Sequence, residues 1–205
     1  MSLVTLTDVS KSYRRTLALR PVSLELQPGE LVALAGPSGS GKSTLLMITG
    51  GWETPDTGTV TPHPPLPDRP MAQMQWEHVG FVPQSIGLFD ELSITDNLAF
   101  PARNREDTAD RAKLLETLDL AKFANRRPAQ ISRGEQQRAA VARALVTNPT
   151  LVLADEPTSH QDRAHAELVL IRLRAAADAG TTVLVASHDP LLTQHADRTI
   201  TLAGA

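Results

Sequence analysis

The 205-residue sequence predicts an α/β fold: a mostly parallel sheet with crossover helices, preceded by an antiparallel β region. Three observations carry that prediction. Leu31–Ala35, residues 151–154 and Thr182–Ala186 are short continuous apolar runs, the pattern of strands covered on both faces. Helical periodicity separates the second run from the third, as a right-handed crossover between parallel strands requires. The first run leads directly through a glycine-rich turn into an apolar helix.

In chain order, residues 3–34 read as short strands. Val22, Leu24 and Leu26 alternate with Ser23 and Glu25 before the turn at Pro28-Gly29, the period of an antiparallel strand with one buried face. A helix is expected from about Lys42. Residues 59–70 hold five prolines, which remove donors and lock backbone angles, so this stretch is expected to be an extended surface loop with no function assigned. Residues 108–120 carry Ala112, Leu115 and Leu118 at helical spacing, and a second helix follows Ser132 through Ala140, Ala144 and Leu145. A third runs from about Asp162 to Ala179. There is no internal repeat, no sustained heptad run and no second phosphate loop.

Composition excludes several classes. A hydrophobic fraction of 41% and a charged fraction of 21% suit a folded globular chain with a real core. The net charge of -3, with scattered basic residues, provides no broad positive field, so nucleic acid is not the expected partner. With no cysteine there are no disulfides and no thiolate metal sites, which suits a reducing compartment. No run approaches the ~20 apolar residues needed to cross a bilayer, and the start lacks the layout of a signal peptide, so a membrane link is expected through another protein.

Gly36-Pro37-Ser38-Gly39-Ser40-Gly41-Lys42-Ser43-Thr44 has the spacing Gly-x-x-x-x-Gly-Lys-Ser. Such glycines let backbone N–H groups converge on phosphate oxygens, and the following helix adds the positive end of its dipole. Lys42 is expected to reach the β- and γ-phosphates of a nucleotide, and Ser43 to offer its hydroxyl to Mg²⁺. A flexible turn explains the glycines but not a lysine-serine pair between a buried strand and a helix. Asp155 and Glu156 end the buried run at 151–154, at the carboxyl edge where open α/β sheets bind ligands. Asp155 can hold magnesium through water, and Glu156 can act as general base. His188 follows the last buried run at the same edge, where an imidazole can donate to a γ-phosphate oxygen or fix the attacking water. His63, His78, His160, His165 and His195 have no comparable placement.

Together these residues resemble the ATP-binding-cassette family, and four further segments strengthen the likeness. Gln84, in Phe81-Val82-Pro83-Gln84, matches the family's glutamine loop, which touches magnesium and senses the membrane partner. Ile131-Ser132-Arg133-Gly134-Glu135-Gln136-Gln137-Arg138 is similar to the signature sequence, and Ser159-His160-Gln161-Asp162 to the D-loop. Tyr13 sits where the family stacks an aromatic ring on adenine. Ser132-x-x-Glu135 is also a capping box, and Ser159-x-x-Asp162 is expected to cap the next helix in the same way. The sequence departs from the family at Arg133, which stands where a glycine is usual. Arg133 is expected to point aside while Ser132 and Gly134 bind.

The resemblance implies one P-loop NTPase unit over residues 1–205, with an N-terminal antiparallel β subdomain and a helical subdomain, approximately residues 85–150, inserted in the parallel core. It implies an ATPase using ATP and Mg²⁺, a head-to-tail dimer with a second nucleotide-binding subunit (a homodimer), and an integral membrane permease as partner. The location implied is the cytoplasmic face of the cell membrane. In such a dimer Ser132, Arg133, Gly134 and Glu135, with Ser159 and Asp162, complete the site of the opposing subunit. Residues 36–44, Gly50-Gly51 and Gly80-Phe81-Val82-Pro83-Gln84 are most similar to the lipoprotein-release and macrolide-export group, although the proline-rich stretch is shorter than the β subdomain usual there. A mechanical or regulatory module that gates a membrane partner without transport fits the same motifs. A DNA-repair cassette would need coiled-coil or zinc insertions, and a translation factor two cassettes; neither feature is present. Residues 85–101, with Leu88, Phe89 and Leu92 beside Asp90 and Glu91, are expected to meet the membrane subunit, although core packing explains those apolar side chains almost as well.

Overall fold

The computed structural model describes residues 1–102 and 108–204. Its central feature is a five-stranded parallel sheet in the order β5-β6-β7-β3-β8, formed by β3 (Leu31–Ala35), β5 (Val79–Val82), β6 (Leu151–Asp155), β7 (Thr182–Ala186) and β8 (Arg198–Thr201). The apolar runs form the middle of this sheet because each must bury both faces. Leu31, Ala33, Val152, Ala154, Val183 and Val185 point into one core, and their neighbours Val32, Leu34, Leu151, Leu153, Leu184 and Ala186 into the other.

The first core is covered by α2 (Ile94–Ala99), α3 (Thr108–Thr117), α4 (Arg133–Leu145) and α5 (Arg163–Asp178). The second lies between the sheet, α1 (Lys42–Thr49) and an antiparallel sheet of β1 (Val4–Tyr13), β2 (Thr16–Leu26) and β4 (Thr57–Pro62), in the order β2-β1-β4. As the alternation in β2 predicts, Leu24 and Leu26 are buried while Ser23 and Glu25 are exposed.

Two expectations need correction. Residues 59–62 are strand rather than loop: Thr59, Val60, Thr61 and Pro62 pair with Thr7, Leu6, Thr5 and Val4. β4 is an edge strand and Pro62 is its last residue, so the missing proline donor removes little from the ladder. The loop is confined to 63–70, and even there Leu66 is buried against Met71 and the second core. The second correction concerns the cap of α5. Asp162 alone is the N-cap, its carboxylate accepting from His165 N–H at 2.9 Å, whereas Ser159 Oγ is buried with no hydrogen-bond partner among the described residues. By contrast, α4 starts with the full reciprocal box, Ser132 Oγ accepting from Glu135 N–H at 3.3 Å and Glu135 Oε2 from Ser132 N–H at 2.7 Å.

Beneath the sheet, at its amino edge, Asp197 fixes the start of β3. Its Oδ2 accepts from Leu31 N–H at 2.7 Å and from Arg174 Nη1 at 2.8 Å. The Arg174 hydrogen bond, helped by that of Leu31, holds this carboxyl below its ordinary value of 3.8. A depressed carboxylate stabilises the fold above its unfolded pKa, and that contribution fades as pH falls through the folded pKa. Asp197→Ala is therefore expected to cost about 1 kcal/mol at neutral pH, modest because the ion pair is half-exposed. The deficit should shrink near pH 3, where denaturant unfolding of the two proteins should converge.

Candidate functional site

Four strands of the parallel sheet end at one place, and each delivers part of a cleft of about 450 Å³. β3 is followed by the glycine loop. There Gly41 adopts φ 92 as the N-cap of α1, and a Cβ on it would collide with the Ala18 carbonyl. This close approach draws the loop against β2, so that Ser38, Gly39, Gly41, Lys42, Ser43 and Thr44 line the cleft; Gly36, Pro37 and Ser40 are not part of that lining, and Ser40 N–H closes the turn on the Pro37 carbonyl at 3.2 Å. Lys42 is only 7% exposed, and its ammonium donates to the Gly36 carbonyl at 2.9 Å and the Pro37 carbonyl at 3.1 Å. These bonds hold the charge over the loop, at the N-terminus of α1.

β6 delivers Asp155 and Glu156. Burial raises the Asp155 carboxyl above its ordinary value; a hydrogen bond with Ser43 and the charge of Lys42 oppose the shift, and Glu156 adds to it. Glu156 turns away from the strand at φ 50, and its Oε2 accepts from Ser187 Oγ at 3.1 Å and from His188 N–H at 3.4 Å. His188, on the exit from β7, brings Nε2 to 3.6 Å from Glu156 Oε1. Gln84, two residues beyond β5, and Tyr13, at the end of β1, complete the lining with Thr16, Leu17 and Ala18. The Tyr13 hydroxyl donates to Glu53 Oε2 at 3.0 Å, and Glu53 pairs with Lys11 at 2.8 Å, so the half-exposed ring is held from behind. Burial, then Glu53, raise its phenol pKa.

The structure thus brings Tyr13, Lys42, Ser43, Gln84, Asp155, Glu156 and His188 to one cleft. Ser132, Gly134, Glu135 and Asp162 are elsewhere. They line a second cleft of about 220 Å³ with Arg138 and His165, and it has no residue in common with the first. Arg133 is exposed in the first turn of α4 and is not part of that lining. Gly134 packs so closely that a Cβ would sit 2.7 Å from the His160 carbonyl oxygen. Glu53 and Ser187 escaped the sequence reading, because a single acid or hydroxyl outside a motif carries no periodic or spacing signal.

Such a cleft, with a lysine-bearing glycine loop at a helix N-terminus and paired carboxylates at the next strand end, defines a P-loop nucleotide-hydrolysing protein. The chain belongs to the ABC transporter family, which it matches over residues 19–159, and is one of its ATP-hydrolysing cassettes. It is 43% identical over 195 residues to the lipoprotein-releasing system ATP-binding protein LolD of Bordetella pertussis, covering 90% of this chain and 84% of that one. To the macrolide export ATP-binding/permease protein MacB of Salmonella choleraesuis it is 38% identical, over 97% of this chain and 33% of that protein. An ATP-binding cassette solved as a dimer in a post-hydrolysis state with ADP and Pi superposes with a TM-score of 0.86 at 33% identity, covering 97% and 94% of the two chains.

Proposed function

We propose that this cassette closes head to tail with a second copy around two ATP molecules and drives a membrane-spanning permease. The carrying observation is the division of its motifs between two clefts: nucleotide-facing groups in one, Ser132, Gly134, Glu135 and Asp162 in another. A subunit whose signature residues face away from its own nucleotide cleft needs a partner to bring them together with a nucleotide, and a two-fold dimer does so twice. Arg133 points aside in that dimer. Residues 1–205 form one nucleotide-binding unit in this reading, with residues 85–150 as its helical part.

In each composite site the loop N–H groups and Lys42 bind the β- and γ-phosphates, and the Tyr13 ring stacks on adenine. The donors near the phosphates, the Ser43 hydroxyl, the Gln84 amide oxygen and Asp155 through water, are the oxygens that Mg²⁺ accepts. Among the described residues no cluster of three or more His, Cys, Asp or Glu side chains offers an alternative metal site. When bound, Mg²⁺ offsets the charge of the phosphate oxygens. Glu156 takes the proton of the attacking water, and His188 donates to a γ-phosphate oxygen. Positioning and charge stabilisation supply most of the rate.

No helix among the described residues is long and apolar enough to cross a membrane. Attachment at the cytoplasmic face therefore comes through the permease. Residues 85–101 provide one contact, since Phe89 is partly exposed and stacks on Phe100 at 4.5 Å, held in place by the buried Asn97, whose side chain bonds both Phe89 main-chain groups. Trp52, 45% exposed and packed against Phe81 at 4.4 Å, is a further exposed aromatic side chain. The relatives' names point to lipoprotein release or macrolide export as the class of work. Purification of the tagged chain from membranes should recover an integral membrane subunit whose addition raises ATPase turnover. Full, unstimulated ATPase activity with no membrane partner recovered would overturn the assignment.

A further inference from the structure

Gln137 lies in the second turn of α4 and is 0% exposed. A glutamine amide offers two donors and one acceptor. Here Nε2 donates to the main-chain oxygen of Glu156 at 3.3 Å, while Oε1 is buried without a hydrogen-bond partner among the described residues. An orphaned acceptor is a standing cost that an apolar side chain of similar size does not carry, so packing alone does not explain an amide at this position.

The group it reaches is unusual. Glu156 is a non-glycine residue at φ 50, where the chain leaves β6, and such a conformation persists only when its surroundings hold it. Its N–H donates to the Ala186 carbonyl at 2.8 Å. On the other side its carbonyl accepts from Ser159 N–H at 3.1 Å, within the same turn, and from Gln137, which ties that turn to α4, so both main-chain polar groups of Glu156 are fixed and its side chain lines the cleft. A second grip lies farther along the same segment: Arg138 Nη1 donates to Gln161 Oε1 at 3.1 Å, and Gln161 Nε2 to the Gly134 carbonyl at 3.3 Å. That grip keeps α4 and residues 156–162 together when Gln137 is changed.

We propose that Gln137 is a positioning residue for hydrolysis, holding the Glu156 main chain in its left-handed turn so that the carboxylate faces the attacking water. The inference rests on Glu156 being the general base. The test compares Gln137→Leu and Gln137→Met with the unchanged chain, measuring kcat, KM for ATP and thermal midpoint. Both substitutions remove the hydrogen bond and the orphaned acceptor together and keep the volume close to that of glutamine. The expected result is a kcat lower by about ten- to a hundredfold, as for a displaced catalytic group, with KM changed less than about twofold and a melting temperature unchanged or raised. A wild-type kcat in either folded variant overturns the proposal. So does a kcat loss matched by a fall in melting temperature in both, which would make the amide a packing element. Glu156→Gln separates the two levels. If it hydrolyses ATP normally, the base assignment fails and takes the inference with it; if it is inactive while Gln137→Leu turns over normally, only the inference fails.

Discussion

Glu156→Gln is expected to lower kcat for ATP hydrolysis by roughly two to four orders of magnitude, the usual worth of a general base, while ATP still binds. The amide has nearly the shape of the carboxylate and keeps an oxygen to accept from Ser187 Oγ and the His188 N–H, both of which bond Oε2 in the parent. The left-handed turn is set by hydrogen bonds of the Glu156 main chain to the Ala186 carbonyl, Ser159 N–H and the Gln137 side-chain amide, which the substitution leaves in place. Lys42, Ser43 and the loop N–H groups are untouched, and one negative charge is removed from a site that must receive the γ-phosphate, so nucleotide affinity should hold or rise. ATP then persists in the closed site and the dimer accumulates. Equilibrium ATP binding, single-turnover hydrolysis and size-exclusion chromatography with ATP check the three parts. Steady-state hydrolysis at the normal rate would remove Glu156 from the base role.

The middle of the parallel sheet was legible in the sequence because three of its strands are buried on both faces and therefore read as uninterrupted apolar runs. The edges were not. β8 is largely exposed and β5 is a four-residue strand with Gly80 inside it, so neither shows a period that distinguishes it from loop. β4 was masked by Pro62, which an edge position tolerates, and by the prolines that follow it. The candidate cleft was legible wherever spacing constrains chemistry, as in residues 36–44, or where a strand end presents acids. What residue pattern and spacing could not convey was separation in space, which only the family resemblance implied. Ser132 and Glu135 read equally well as a helix cap and as ligands, and they are structurally a cap. Only the fold shows that the capped end of α4 opens into a different cleft from the one Lys42 lines. Gln137 illustrates the same limit: a glutamine amid a helical polar run looks solvent-exposed until packing buries it against Glu156.

The two-cleft arrangement makes a prediction with an all-or-none outcome. Lys42→Ala should abolish phosphate binding by its own cleft. Ser132→Arg should block only the partner's nucleotide, because Ser132 is exposed and its loss as a cap costs its own subunit about 1 kcal/mol. Each variant alone is expected to be inactive, since every composite site in its homodimer carries the lesion. In a mixed dimer, however, both lesions fall in one site, and the other joins the intact loop of one subunit to the intact signature of its partner. Random one-to-one assortment makes half the dimers mixed, so about a quarter of the parent ATPase rate should return if the sites turn over independently. The converse mixture tightens the test. A chain with both substitutions, paired with the parent chain, spoils both composite sites at once and should suppress the parent's activity in every mixed dimer. If each chain instead completed its own site, the first mixture would stay silent and the second would keep the parent subunit's full contribution.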